Sequence, residues 1–306
     1  LITLILVCTM NNITNAQNPF YGQYHTPHEA VPFDRIETEH YEPAILEGIR
    51  LQNAEIEAII QNPEKADFTN TIEAFDESGE LLDRVVAVFG NMLSAETNDD
   101  LQELAQKIMP LLSEHSNNIT LNEKLFARVK EVYNQKEALQ LTQEQKQLLE
   151  NAYNSFVRHG ANLEGEAREE YRRLTTELSK LTLTFSENNL KETNAYQMLL
   201  TKKESLAGLP EIIIEAAAET AKSEGKEGWA FTLHAPSYIP FMTYSDNRDL
   251  RQKLYMAYNT KCTHDNEFNN IDIVKKIANT RMKIAQLLGY KDYAEYTLKK
   301  RMAENS

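Results

Sequence analysis

Apolar residues recur three and four positions apart along most of the chain, and from Phe33 onward that spacing predicts one helix after another. Tyr41, Ile45, Ile49, Ile56 and Ile59 form a first stripe, and Leu81, Leu82, Val85, Phe89, Met92 and Leu93 a second. Leu101, Leu104, Ile108, Leu111 and Leu112 follow a cap at Asn98 or Asp99, with a kink expected at Pro110, which lacks an N–H. A shorter amphipathic segment runs from Leu121 to Tyr133. Thr142 and Gln145 have the spacing of a capping box ahead of Leu148, Leu149, Ala152, Tyr153 and Phe156, and Gly160 stops that helix. Ala167, Tyr171, Leu174, Leu178 and Leu181 line the next. Late in the chain, Ile273, Val274, Ile277, Ile284, Leu287 and Leu288 end at Gly289, and Asp292 with Glu295 opens a last helix. No fixed repeat length appears, and Pro110, Gly160 and Gly165 interrupt any heptad. The expectation is a mainly α array of unequal helices.

The period changes between Ala195 and Leu233. Tyr196, Met198 and Leu200 alternate with other residues, as do Trp229, Phe231 and Leu233, predicting two strands and one small β element. Between them Pro210 opens a helix that Gly225 ends. After the second strand, Pro236 and Pro240 are expected to break regular structure into a rigid aromatic corner containing Tyr238, Phe241 and Tyr244. Asp246 is then the expected cap of a helix carrying Leu250, Leu254, Ala257 and Tyr258. Residues 225–258 thus read as a packing hub. Residues 17–32, punctuated by Pro19, Gly22, Pro27 and Pro32, read as an irregular arm laid over the surface.

Composition narrows the function classes. The 306 residues are 42% hydrophobic, enough for a proper core, and ten glycines and nine prolines are few for a turn-rich β fold. A net charge of −14 argues against a surface that tracks nucleic-acid phosphates, and is read as solubility rather than substrate steering. Leu1 to Val7 is an apolar run too short to span a bilayer, which takes about 20 residues. With Thr14 and Ala16 ahead of Gln17, residues 1–16 read as a partial signal peptide whose start lies upstream. That predicts export to the periplasm or cell surface, and a cytoplasmic place without it. Residues 33–306 form the helical region. Loss of Cys8 with the signal would leave Cys262 alone, with no internal disulfide.

Candidate chemistry is sparse. His25, His28 and Glu29 cluster in the arm, but His28-Glu29-Ala30-Val31 is followed by Pro32 instead of the second histidine of a His-Glu-x-x-His zinc helix. Cys262 and His264 stand beside Lys261 without a second metal-ligand pair, and read as bystanders. None of the seven histidines has another four residues on, and no Gly-x-Ser-x-Gly elbow, phosphate loop or dinucleotide fingerprint occurs. The expectation is that no catalytic, cofactor-binding or metal-binding residue lies in this chain.

Several strings carry a resemblance: PFDRIETEHYEPAILEGIR, FTNTIEAFDESGELLDRV, NEKLFARVKEVY, RHGANLEGEAREEYRRLTTELSKLTLTFSENNLKET, GWAFTL and PSYIPFMTYSDNRDLRQKLYMAYNT. Over essentially all of 33–306 the chain resembles the zinc metallopeptidase family of oligopeptidase A, bacterial peptidyl-dipeptidase, thimet oligopeptidase and neurolysin, and most of all the peptidyl-dipeptidases. The resemblance implies a helical ellipsoid split by a deep channel that admits short peptides, with zinc held by a His-Glu-x-x-His helix and a later glutamate. Since those ligands are absent here, the chain is expected to be the N-terminal, non-catalytic half, truncated before the catalytic domain. Its partners would be short peptides in the intact enzyme, which would release C-terminal dipeptides, and the missing C-terminal catalytic half. Neither nucleic acid nor a membrane span is expected. The alternative is a standalone helical binding or scaffold protein derived from that lobe, without catalysis.

Overall fold

A computed structural model describes residues 18–303 and 305. It is mainly α, with a single two-stranded antiparallel sheet among the described residues, as the two periodicities predict. The chain divides into two compact units, 1–180 with 280–306, and 181–279. The expected signal peptide at 1–16 and Cys8 lie outside the described residues.

The first unit opens with residues 18–35, short 3-10 turns tied to the first helix, α1 (Thr38–Gln61). Asn18 Nδ2 donates to the His40 carbonyl at 2.8 Å, and Phe20 is fully buried with its ring 5.4 Å from Tyr41. His40 closes a capping box: its Nδ1 accepts the Glu37 N–H at 2.9 Å while the Glu37 side chain caps the helix from the other direction. The histidine at the helix start is thus a structural hydrogen-bonder.

Tyr41 also meets Phe89 of α2 (Glu80–Ala95) at 5.2 Å. α1 lies along α2 closely enough that a Cβ on Gly48 would meet the Leu82 Cα at 2.9 Å. Between them the Asn-Thr-Ile-Glu run winds as a π-helical turn, Phe68–Glu73, boxed by Asp67 and Asn70. This turn seats Phe68 and Ile72 in a core with Ile56, Ile59, Val129 and Phe156. Arg128 reaches across to it, donating to Asn70 Oδ1 at 3.0 Å and to the Asn62 carbonyl at 3.1 Å.

The remaining helices of this unit start where short polar side chains can satisfy free N–H groups. Asn98, not Asp99, caps α3 (Asp99–Thr120), accepting from Leu101 N–H at 2.8 Å, and Pro110 lies inside the helix. Asn122 caps α4 (Glu123–Asn134), and the Thr142–Gln145 box opens α5 (Gln143–Arg158) with both reciprocal bonds present. The long α6 (Gly165–Ala195) contributes Tyr171 and Leu174 to a small core with Leu121 and Ile284.

In the second unit, β1 (Gln197–Leu200) pairs with β2 (Trp229–Thr232), Met198 opposite Phe231 and Leu200 opposite Trp229. α7 (Glu211–Ser223) and the segment after β2 pack on this pair. Here the structure corrects one expectation. Pro236 and Pro240 do not break the chain into an irregular corner; they lie in a helix, α8 (Ala235–Tyr244). Pro236 occupies the first turn, where the missing N–H has no intrahelical partner anyway, and its fixed φ suits the helix. Pro240 removes one interior bond, while Phe241, fully buried against Phe231 at 4.6 Å, anchors the turn. A second correction concerns the next cap: Asn247, not Asp246, opens α9 (Arg248–Asn259), accepting from Leu250 N–H at 3.1 Å. Asp246 instead donates its N–H to the Ala207 carbonyl at 2.9 Å.

Two elements complete the chain: α10 (Ile271–Leu287), followed by Gly289 with φ +83°, and α11 (Tyr293–Leu298). Asp292 caps α11 by accepting from Glu295 N–H, and Glu295 Oε2 accepts the N–H of Lys291, one residue ahead of the cap, at 2.8 Å. The guanidinium of Arg158 lies 4.2 Å over the Tyr296 ring and donates to its carbonyl at 2.9 Å, latching α11 to the end of α5 within the first unit.

Candidate functional site

A polar constellation that involves residues singled out from the sequence lies in the second unit, where the loop after α9 returns to the end of α6. Cys262 stands at φ +58°, a left-handed conformation rare for a residue with a side chain. It is held there because its backbone N–H donates to Glu192 Oε2 and its carbonyl accepts the Asn270 N–H at 2.7 Å. His264 Nδ1 lies 2.8 Å from the other oxygen, Glu192 Oε1, and its Nε2 lies 3.2 Å from Thr260 Oγ1. Lys261 Nζ donates to Thr193 Oγ1 at 3.0 Å. Asn270 completes the tie, donating from Nδ2 to the Phe185 carbonyl at 3.0 Å and accepting from Asn188 Nδ2 at 2.9 Å.

Electrostatics follow the geometry. Burial pushes the Glu192 carboxyl upward, but hydrogen bonds from His264 and Cys262 outweigh it and hold the group below the usual carboxylate range. Burial first, and the facing carboxylate second, push the Cys262 thiol up to about 11. The thiol therefore stays protonated at neutral pH, and a protonated thiol is a poor nucleophile and a poor metal ligand. Both ring nitrogens of His264 and both oxygens of Glu192 already have partners within the loop. The arrangement clamps a loop; it offers no open position for a substrate atom. Glu192, seventy residues away in sequence, had not been singled out from the sequence, because pattern reading relates residues only along one helix or strand.

His25, His28 and Glu29 stay in the first unit's arm, all three at positive φ, with His28 and Glu29 in one short 3-10 turn. Pro27 fixes a 3-10 turn there, so the residues never share a helix face. Among the described residues no group of three or more His, Cys, Asp or Glu side chains is disposed to hold a metal ion. Tested on these donors, the residues described do not fit the zinc that the family resemblance implies, since such a site needs three ligands and an open fourth position.

Among the described histidines one is buried. His115 of α3 is 6% exposed, its Nε2 2.7 Å from Gln52 Oε1, and burial keeps its pKa below the ordinary imidazole value. Gln52 in turn donates to the Ser78 carbonyl at 3.3 Å, so the histidine braces the turn that leads into α2. A groove of about 410 Å³ opens beside that turn, lined by residues that include Glu55, Ile59, Asn62, Asn70 and Glu77. Asn70 is already saturated by Asp67, Thr71 and Arg128, and Glu55 Oε2 accepts the Gly79 N–H at 2.8 Å. No helix among the described residues is long and apolar enough to cross a membrane.

Comparison with known proteins places these observations. Residues 241–306 match the family model described as Peptidase family M3. Dipeptidyl carboxypeptidase of Escherichia coli strain K12 is 36% identical over 288 residues, covering 94% of this chain and 42% of the relative. Oligopeptidase A of Haemophilus influenzae is 33% identical over 278 residues, 90% of this chain and 41% of the relative. Oligopeptidase A of Escherichia coli is 31% identical over 284 residues, 92% of this chain and 42% of the relative. The chain therefore spans about two-fifths of the length of the curated relatives it matches. Over nearly all of its length this chain is similar to dipeptidyl carboxypeptidases and oligopeptidases A, with the Peptidase family M3 match falling in 241–306.

Proposed function

We propose that the chain is a helical, non-catalytic part of a metallopeptidase of the M3 type that hydrolyses short peptides and releases C-terminal dipeptides. The observation that carries this reading is the 36% identity to a dipeptidyl carboxypeptidase over 94% of the chain. The polar groups described here support a structural role: His40, His115 and His264 all serve backbone caps, braces or loop ties. On this reading zinc belongs to residues other than those described, short peptides are the substrates, and the further partner is the polypeptide that carries the metal ligands. Export through residues 1–16 is part of the same proposal, and the N-terminal sequence of the protein recovered from its native compartment tests it.

Two experiments test the core of the reading. The purified chain is expected to hold well under one zinc per molecule and to release no dipeptides. Stoichiometric zinc that disappears in His28→Ala or His264→Ala would sink the assignment. Co-expression with the remaining part of a close dipeptidyl carboxypeptidase relative is expected to restore zinc-dependent release of C-terminal dipeptides. A monomer that neither binds nor activates that part would instead favour an independent helical binding protein.

A further inference from the structure

We propose that the free edge of β1 is a docking site for an extended peptide segment, which would join the sheet as a third strand. The pairing register shows which backbone groups are free. Gln197 stands opposite Thr232, whose N–H is taken by Ser237 Oγ at 3.0 Å. That pair therefore exchanges no bonds, and alternation makes Met198 with Phe231 and Leu200 with Trp229 the bonded pairs. A Cβ on Gly228 would run into the Leu200 carbonyl oxygen, as it must if that carbonyl points at β2. The N–H and C=O groups of Gln197 and Leu199 accordingly point away from β2. None of the described backbone hydrogen bonds outside the strand pair uses either residue. No described element besides β2 runs along β1. Side chains alternate in the same sense: Met198 and Leu200 are buried, whereas Leu199 is 41% exposed. Buried backbone groups without partners are rare, so these face solvent.

The edge selects its occupant. Donors and acceptors alternating along an extended backbone are matched by another extended backbone. Phosphates offer acceptors alone, and a helix uses its own N–H groups internally. A second copy could pair edge to edge, but the four residues of β1 make an edge only about 13 Å long. So short an edge falls well below the roughly 1,200 Å² that a stable dimer buries, whereas a single peptide strand needs nothing beyond the edge itself. An apolar β-branched side chain on that strand, opposite Leu199, would cover its exposed face. Two outward-facing residues, each with one donor and one acceptor, limit the pairing to four bonds. Binding is therefore weak and tolerant of peptide sequence. The inference rests on the β1–β2 register and stands whether or not the peptidase reading does.

The test uses the full chain and a fluorescein-labelled peptide of alternating threonine and valine. Fluorescence anisotropy is expected to show saturable binding. Methylating every peptide nitrogen is expected to weaken it by about tenfold or more. Methylating alternate nitrogens is expected to change it by less than about twofold, since a strand presents only one edge to β1. Leu199→Pro deletes an outward N–H without removing a bond to β2, and proline is tolerated where that group faces solvent. This variant is expected to bind about tenfold more weakly, whereas Leu199→Thr, which keeps the backbone edge, is expected to bind as before. In the unaltered chain, hydrogen exchange at the Leu199 amide is expected to slow when the peptide is added, a readout that needs no variant to fold. Absence of saturable binding, equal binding of the fully methylated peptide, or unchanged exchange at Leu199 would overturn the proposal. So would self-association of the chain that Leu199→Pro abolishes, by assigning the edge to a second copy.

Discussion

Replacing Phe241 by alanine is expected to destabilise the protein by about 3–5 kcal/mol, the cost of deleting a large buried side chain and leaving a cavity. The site leaves little room for relaxation. Phe241 is fully buried, its ring meets Phe231 edge-on at 4.6 Å and 62°, and Met198, Leu206 and Leu254 belong to the same core. Both faces of the problem are hydrophobic, so no water would usefully fill the space. Since folded domains are stable by about 5–15 kcal/mol, the loss is a large share of the whole. Urea unfolding followed through Trp229, the one tryptophan, reads it directly because that ring packs against this same core. Phe241→Leu, which keeps most of the volume, is expected to cost under about 1.5 kcal/mol. Equal costs for the two variants would mean that the α8 turn does not pack as described.

That same segment shows where pattern reading reached its limit. Alternation identified both strands because residues at every second position must share a face, and Met198 and Phe231 are opposite each other as that rule requires. Caps such as Thr142 with Gln145 and Asp292 with Glu295 were legible because the satisfying side chain lies within one turn of the N–H it serves. Pro236 and Pro240 misled because a missing N–H is costly only where a partner waits for it, and packing around Phe241 decides the rest. Asp246 and Asn247 are equally good caps by composition. The choice between them rests on the Ala207 carbonyl, a contact across thirty-nine residues that no local rule contains.

Sites were less legible than elements for the same reason. Cys262 and His264 were visible in the sequence as a close pair with no second metal-ligand pair beside them. Their partner Glu192 was not visible, because only the fold brings α6 back to the loop after α9. Val274 illustrates the converse. It falls on a helical stripe in the sequence, yet is 49% exposed, because periodicity says which residues share a face and not whether anything covers it.

Gly208→Ala is expected to cost about 3 kcal/mol or more, against about 1 kcal/mol for Gly225→Ala, and the pair separates two reasons for a glycine. Both glycines have positive φ, +85° at Gly208 and +69° at Gly225, so both substitutions incur the strain of a left-handed backbone. At Gly225 a Cβ meets nothing within 4 Å, so strain is the whole effect. At Gly208 a Cβ would stand 2.9 Å from the Asp246 N and closer still to the Tyr244 carbonyl oxygen. These are backbone atoms, which cannot swing aside as a side chain would, so the 207–208 and 244–246 segments must separate. Separation stretches the 2.9 Å bond from Asp246 N–H to the Ala207 carbonyl and shifts the end of α8 that Phe241 anchors. Loss of a backbone bond of this kind adds about 1 kcal/mol to the strain and overpacking. Matched urea titrations of the two variants check the difference. Equal costs would show that the close approach at Gly208 is relaxed in solution, and that conformation alone selects glycine there.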